Sequence, residues 1–314
     1  MEKIFNNKKM LQLVSKWKIH LIVIGIISII AGVFISSPIV ITPKFKSTAI
    51  VYPTNISTYS KESETEQMFQ IFLSTDIKFK MLNAFQLDKD YKLDRRDPLF
   101  ITYFLDEYNN NVSIAKTEYE SIKIEVQDKN PKVAAAMVNK LIEFYNQKVA
   151  ELYRNKQKEM IDIMGDAMKT KEKEMDSIEN LLTTMRLKYG ILNYASQSSA
   201  ATQGILQGNN KAKELYTNLA QFGGIYKNQD SLLCEARKQY INFKWLYENA
   251  VREYNKSITY AQVVTQPFPA DKKSYPVRWV IVALTLAGGL IVSLIVIAII
   301  ESNKQKKSST LESE

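Results

Sequence analysis

Two stretches without a single ionisable residue, 21–41 and 279–300, sit near opposite ends of this 314-residue chain and limit what it can become. They are 21 and 22 residues long. A bilayer's hydrocarbon core takes about 20 apolar residues in a helix rising about 1.5 Å each. Both stretches meet that length. The second is Val, Ile, Leu and Ala almost throughout, and Thr285 and Ser293 can hydrogen-bond within their own helix. A soluble core helix of this length would carry a polar face, and this one has none. The first stretch is weaker at its outer end, where Ser36, Ser37 and Pro38 stand. A cleavable signal peptide would have an apolar run of about 7–15 residues and then a small-residue cleavage site. Here the run is longer and ends in Val40, Ile41, Thr42 and Pro43, so an uncleaved anchor is expected.

The lysines set the orientation. Lys3, Lys8, Lys9, Lys16 and Lys18 precede the first span against one acidic residue, Glu2, and Lys304, Lys306 and Lys307 follow the second. Positive residues flanking spans stay cytoplasmic, while long domains translocate largely regardless of charge. Both termini are therefore expected in the cytoplasm, with residues 42–278 outside it. The net charge of +9 does not argue for nucleic acid, because four of those charges belong to the N-terminal segment and the 14-residue tail is neutral. The remainder is mild for a domain of this size. One cysteine, Cys234, excludes an intramolecular disulfide.

Between the spans the pattern alternates between short strands and long helices. Lys46-Ser-Thr-Ala-Ile-Val-Tyr52 reads as a strand closed by Pro53, residues 55–64 as a loop, and 66–85 as a helix. Another helix is expected near Pro98. Residues 120–127 alternate Ile122, Ile124 and Val126 with Lys123 and Glu125, the signature of a half-buried strand. Asp128-Lys-Asn-Pro131 then turns the chain, with Asn130 placed to cap a helix and Pro131 at its first position. No further Pro or clear stop appears before Gly190, so one helix of about 59 residues, roughly 90 Å, is expected, with Gly165 a weak point.

Inside it, Ile161, Met164, Met168, Lys171, Met175, Ile178, Leu182, Met185 and Tyr189 are spaced by alternating threes and fours. That is the seam of a coiled coil. Residues 190–210 read as a loop. The rhythm resumes at Leu215, Leu219, Phe222, Tyr226, Gln229, Leu233, Ala236, Tyr240, Phe243, Tyr247, Ala250 and Tyr254, and Gly223-Gly224 could bend this second helix. Aromatics at such spacing belong to the core more often than to a sugar-binding face. Two heptad helices joined by a loop predict an antiparallel hairpin with its tip near 204–210. A last strand, 259–265, leads into Pro267, Pro269, Pro276 and Arg278 before the second span. The whole is an α+β membrane protein: two terminal spans, a small mixed sheet with helices next to the membrane, and a long helical stalk. The expected division is 1–18 cytoplasmic, 19–41 span, 42–130 base, 131–258 long helices and stalk, 259–278 closing strand and connector, 279–300 span, and 301–314 cytoplasmic tail.

Catalytic chemistry finds little to work with. None of the ten glycines opens a G-x-x-x-x-G-K-[ST] phosphate loop. The single histidine, His20, lies at the membrane edge beside Trp17 and Lys18, so no Ser-His-Asp or Cys-His arrangement can form outside it. One His and one Cys do not make a zinc site of the usual kind. The carboxylates Asp88, Asp90, Asp94 and Asp97 alternate with Lys89, Lys92, Arg95 and Arg96, a solvated charged surface. Glycosylation sequons at Asn55, Asn111 and Asn255 are short enough to arise by chance. No enzyme, metal or cofactor is expected.

Four places together resemble the Wzz-type chain-length determinants, or polysaccharide co-polymerases, in the form without a tyrosine kinase domain. They are the exit strand Pro43-Lys-Phe-Lys-Ser-Thr-Ala-Ile-Val-Tyr-Pro53; the strand-turn-helix from Ile122 through Asp128, Pro131 and Ala134 to Asn139; the approach Pro267, Pro269, Pro276, Arg278; and the pair Gly288-Gly289 within the second span. The chain departs from the family where Tyr275 and Val277 separate Ser274, Pro276 and Arg278, and where Leu290, Ile291 and Val292 replace further glycines. The resemblance implies a bacterial inner-membrane protein with a periplasmic domain that regulates surface polysaccharide (O-antigen, capsule or exopolysaccharide) length. It would act as a ring-like homo-oligomer beside a membrane polymerase, with the lipid-linked glycan as a further partner and no nucleic acid. The competing reading is a cell-envelope scaffold or export adaptor with a coiled-coil stalk and no role in chain length. Physically, prolines stiffen a connector, and a Gly pair lets a neighbouring helix approach closely.

Overall fold

The computed structural model describes residues 14–58 and 61–311. Lys3, Lys8 and Lys9, and the side chains of Lys304, Lys306 and Lys307, on which the orientation also rested, lie outside what it describes. The chain divides into two compact units, residues 1–146 with 260–314, and residues 147–259.

The first unit holds both apolar helices and a sheet. Helix α1 (Lys18–Ile35) stops six residues before the uncharged stretch ends; Ser36, Ser37 and Pro38 form a turn there instead. Strand β1 (Lys44–Pro53) follows, then α2 (Glu64–Phe72), α3 (Thr75–Phe85), the short α4 (Leu87–Asp90) and α5 (Phe100–Asn111). The helix expected over 66–85 is thus two helices. Ser74 adopts an extended ψ of 141° and ends continuity between them. Ser63 and Glu66 form a reciprocal capping box on α2, a satisfied pair of helix-end donors.

Strands β2 (Val112–Lys116) and β3 (Ile122–Asp128) come next, and β4 (Ala261–Thr265) and β5 (Lys273–Tyr275) return after the long helices. The order is β2-β3-β1-β4, with β5 also on β1, and every pairing is antiparallel. The sheet is therefore not mixed. β2 emerges from α5 without a Gly or Pro to announce it, and β5 has three residues, so neither shows as a run of alternating residues. Ala49, Val51, Ile122, Ile124 and Val126 share the buried face with the period of two that a half-buried sheet requires. On the other face Lys46 and Lys123 both pair with Glu125. Phe72, Met68, Met81, Phe104, Tyr108, Leu141 and Tyr145 complete the core, none more than 1% exposed.

Helix α6 (Pro131–Tyr189) runs unbroken for 59 residues, through Gly165. In the second unit its distal part packs antiparallel to α8 (Asn210–Asn255). Glu179 pairs with Arg237, Arg186 donates to the Tyr226 hydroxyl at 3.3 Å, and the Tyr189 and Phe222 rings stack 4.0 Å apart. The seam positions Leu182, Met185, Leu219, Tyr226 and Leu233 are buried together. α8 passes through Gly223-Gly224 without a break.

The expected loop at 190–210 is largely a helix, α7 (Tyr194–Leu206). Asn193 caps it by accepting from the Ser196 N–H, and Gly190 closes α6 at φ +65°. Between them the Gln197 amide accepts from the Leu192 and Asn193 N–H groups and donates to the Gly190 carbonyl. Its Ala and Ser residues have good to fair helix propensity but no long apolar stripe. The docking partner is supplied by α8: Gly223 has no side chain where the Tyr194 ring sits.

Candidate functional site: the paired spans and their connector

Helices α1 and α9 (Arg278–Leu311) pack on each other within the first unit. Most of their surface faces outward. Ile22, Ile26, Ile27, Ile30 and Phe34 on α1, and Leu284, Ile291, Val292, Ile295 and Ile299 on α9, are each more than half exposed. A soluble protein buries such stripes, and two helices this long and apolar can cross a membrane.

Without a hydrophobic drive between helices in lipid, small residues that permit close backbone approach decide which faces meet. A Cβ on Gly32 would lie 2.9 Å from the Val282 Cα and against the Thr285 hydroxyl. Gly25 lies against Leu286, and Gly289 receives the Ser28 side chain. Gly25, Ser28 and Gly32 thus form one edge of the contact, at the spacing of three and four that keeps a helix face constant. The sequence draws attention to Gly288 and Gly289 and not to these three. Of that pair, only Gly289 meets the neighbouring helix; a Cβ on Gly288 would meet nothing within 4 Å. Thr285 and Ser293 donate within their own helix, to Val282 and Leu290 carbonyls at 3.0 and 2.8 Å. At the end away from the sheet, Lys16 and Glu301 close the pair with an ion pair at 2.6 Å.

At the sheet end the connector is held along the edge of β1. Ser47 donates its hydroxyl proton to the Phe268 carbonyl, between half-buried Pro267 and exposed Pro269, at 3.0 Å. Ser274 donates to the Lys44 carbonyl at 3.1 Å, and Pro276, after a cis peptide, is buried. Arg278 starts α9 and is exposed.

The strand-turn-helix meets the same spot from the other side. Asp128 stands opposite Phe45, while Lys44 stands opposite Tyr275. The first residues of β1, directly after the first span, are therefore gripped between the end of β3 and β5. Two motifs far apart in sequence converge there. In the turn, Asp128 accepts from the Asn130 N–H at 2.7 Å and Asn130 from the Lys132 N–H at 2.9 Å, so the cap expected at Asn130 forms. Ala134 is buried, whereas Asn139 points outward. Asn146 was not singled out, yet its side-chain oxygen accepts from both Tyr260 and Ala261 N–H groups at 2.7 and 3.1 Å and fixes the start of β4. Asn111 is 5% exposed, accepts from Lys44 and donates to Glu107, so its sequon is closed to modification in the folded chain.

Burial holds the Asp128 carboxyl above its ordinary range, with Asp90 adding to the effect and the Asn130 N–H and the Lys129 and Lys44 charges opposing it. A raised folded pKa means that the contribution to stability is present below the unfolded value of about 3.9 and is lost as pH rises through the folded one. Asp128→Asn keeps an acceptor for the turn and removes that loss. The variant should be at least as stable as wild type at pH 7, with the gap closing towards pH 4. Denaturant midpoints of the full chain across that range provide the check; a variant weaker at pH 7 than at pH 4, relative to wild type, would contradict it.

No protein-family model matches the chain. No curated protein matches it in sequence. Among solved structures it is similar to a full-length bacterial polysaccharide co-polymerase at 12% identity and a TM-score of 0.50, covering 94% of this chain and 97% of that one. It also aligns, less closely, with the wild-type Shigella flexneri lipopolysaccharide O-antigen chain-length regulator WzzB (9% identity, TM-score 0.36, 73% of this chain and 100% of that one). A fragment of WzzB, a polysaccharide co-polymerase from Salmonella Typhimurium, aligns at 8% identity and a TM-score of 0.33, over 74% and 100% of the two chains. The likeness to the full-length structure takes in nearly all of this chain, and the chain has the fold of the polysaccharide co-polymerases.

Proposed function

We propose that this protein regulates the chain length of a bacterial surface polysaccharide. The observation that carries the reading is the likeness to a full-length polysaccharide co-polymerase over 94% of the chain. In this reading residues 42–278 form the periplasmic part, the two spans lie in the inner membrane, and both termini are cytoplasmic. Copies associate side by side, the assembly works beside a membrane polymerase, and its own residues catalyse no step. The connector Pro267, Pro269, Pro276 and Arg278, with Gly289 in the span contact, couples the external part to the membrane, and the turn Asp128, Pro131, Ala134 and Asn139 braces the same junction. The grip on β1 from both sides supports this coupling, because a strand fixed by hydrogen bonds on both edges transmits displacement without a soft joint.

Deleting the gene and separating the surface polysaccharide by size is the direct test. The modal length should shift or scatter while polymer is still made. Loss of all polymer, or an unchanged distribution, would overturn the reading in favour of a general envelope role. A reporter fused after Glu314 should read cytoplasmic, and a periplasmic signal would reverse the topology.

A further inference from the structure

Where the spans meet the sheet, α1 has ended and α9 has just begun, and the two leave a cleft of about 620 Å³ lined by Val33, Ser36, Ser37, Arg278, Trp279, Val282, Ala283 and Leu286. Its walls are mostly hydrocarbon. Its polar groups are few and placed at one end. The Ser36 hydroxyl is already committed to the Val33 carbonyl at 3.1 Å. The Ser37 hydroxyl oxygen is buried and has no hydrogen-bond partner among the described residues. Arg278 is exposed, and it forms no ion pair with any described residue. Trp279, 74% exposed beside it, is the residue type that sits at a membrane's headgroup level.

We propose that this cleft binds an anionic glycerophospholipid of the surrounding bilayer, with the phosphate on the Arg278 guanidinium and one acyl chain along Val33, Val282 and Leu286. Three observations select this occupant. The cleft lies between helices whose outer faces suit lipid, so a hydrocarbon chain can enter it sideways without crossing water. A guanidinium presents its donors in a planar fork that matches a phosphate's oxygens. Arg278 is the one ionised residue lining the cleft, which complements the single charge of a phosphodiester; a diphosphate would leave charge uncompensated. The N–H groups at the start of α9 add a positive potential at the same end. The site does not depend on a role in chain length.

Native mass spectrometry of the full-length protein released from nanodiscs of equal phosphatidylglycerol and phosphatidylcholine tests the assignment. Wild type should retain phosphatidylglycerol in preference. Arg278→Gln should lower that preference about fivefold, the worth of one basic side chain at an anionic lipid surface. Lys272→Gln, which removes an exposed cation of the connector that does not line the cleft, should leave it unchanged. Ala283→Phe, which fills the cleft and keeps Arg278, should expel the bound lipid, with far-ultraviolet circular dichroism confirming that the variants remain folded. Equal loss with Lys272→Gln and Arg278→Gln, or no loss with Arg278→Gln, would overturn the site. Displacement of phosphatidylglycerol by equimolar farnesyl diphosphate would overturn the choice of a phosphodiester.

Discussion

Gly32→Leu should separate the two spans, and Gly288→Leu should leave them together, although the sequence draws attention to the second glycine and not the first. At Gly32 an added side chain meets the backbone of Val282, which cannot rotate away, and the Thr285 hydroxyl as well. Overpacking a fitted contact costs about 1–3 kcal/mol, and a clash with backbone belongs at the upper end. Helix association in lipid rests on such close packing, so little else compensates. At Gly288 the new side chain enters open space. Thermal unfolding of the full chain in nanodiscs should show a lowered midpoint for the first variant and a wild-type midpoint for the second. Under the proposed function, Gly32→Leu should also broaden the polysaccharide length distribution in a deletion strain. Equal effects of the two changes would show that the spans pack through a different face.

The largest loss of stability is expected at Phe72. It is fully buried, and its ring stacks on Tyr145 with centroids 4.5 Å apart and planes 15° from parallel. Truncating a buried Phe to Ala costs about 3–5 kcal/mol through lost burial and the cavity left behind. That is a large part of the 5–15 kcal/mol by which domains are stable. Tyr103→Ala, on the exposed side of α5, removes a similar ring that is 45% exposed and should change stability by no more than about 0.5 kcal/mol. Denaturant midpoints of the two variants measure the contrast. A small effect at Phe72 would mean that the sheet and helices of the first unit do not share one core.

Several features could be read directly because their cause is local. The strand-turn-helix at Asp128 to Pro131 appeared where expected, since alternation, an Asx cap and a proline at the first helical turn act within a few residues. The heptad rhythm from Ile161 to Tyr189 and from Leu215 to Tyr254 marked helices whose seam residues are the less exposed ones, except the last, Tyr254, which is exposed at the end of its helix. The misses also have causes. Helix α7 has no apolar stripe, and its docking depends on Gly223, 29 residues beyond Tyr194. β5 is three residues long and exists because β1 offers it an edge. Ser74 separates two helices that share a continuous apolar pattern.

What the sequence determined by itself was the presence of two membrane-length helices, the heptad pairing and the absence of the residues that common catalytic sites need, all properties of composition and period. What only the tertiary structure decided was which residues face each other. Gly25, Ser28 and Gly32 rather than Gly288 carry the span contact, Asn146 fixes β4, and the Asp128 turn and the proline connector meet on the first residues of β1. Hydropathy reports what a segment must be shielded from or exposed to. It does not report its neighbour across more than two hundred residues, because that choice is made by the fit of side chains that are distant in the chain.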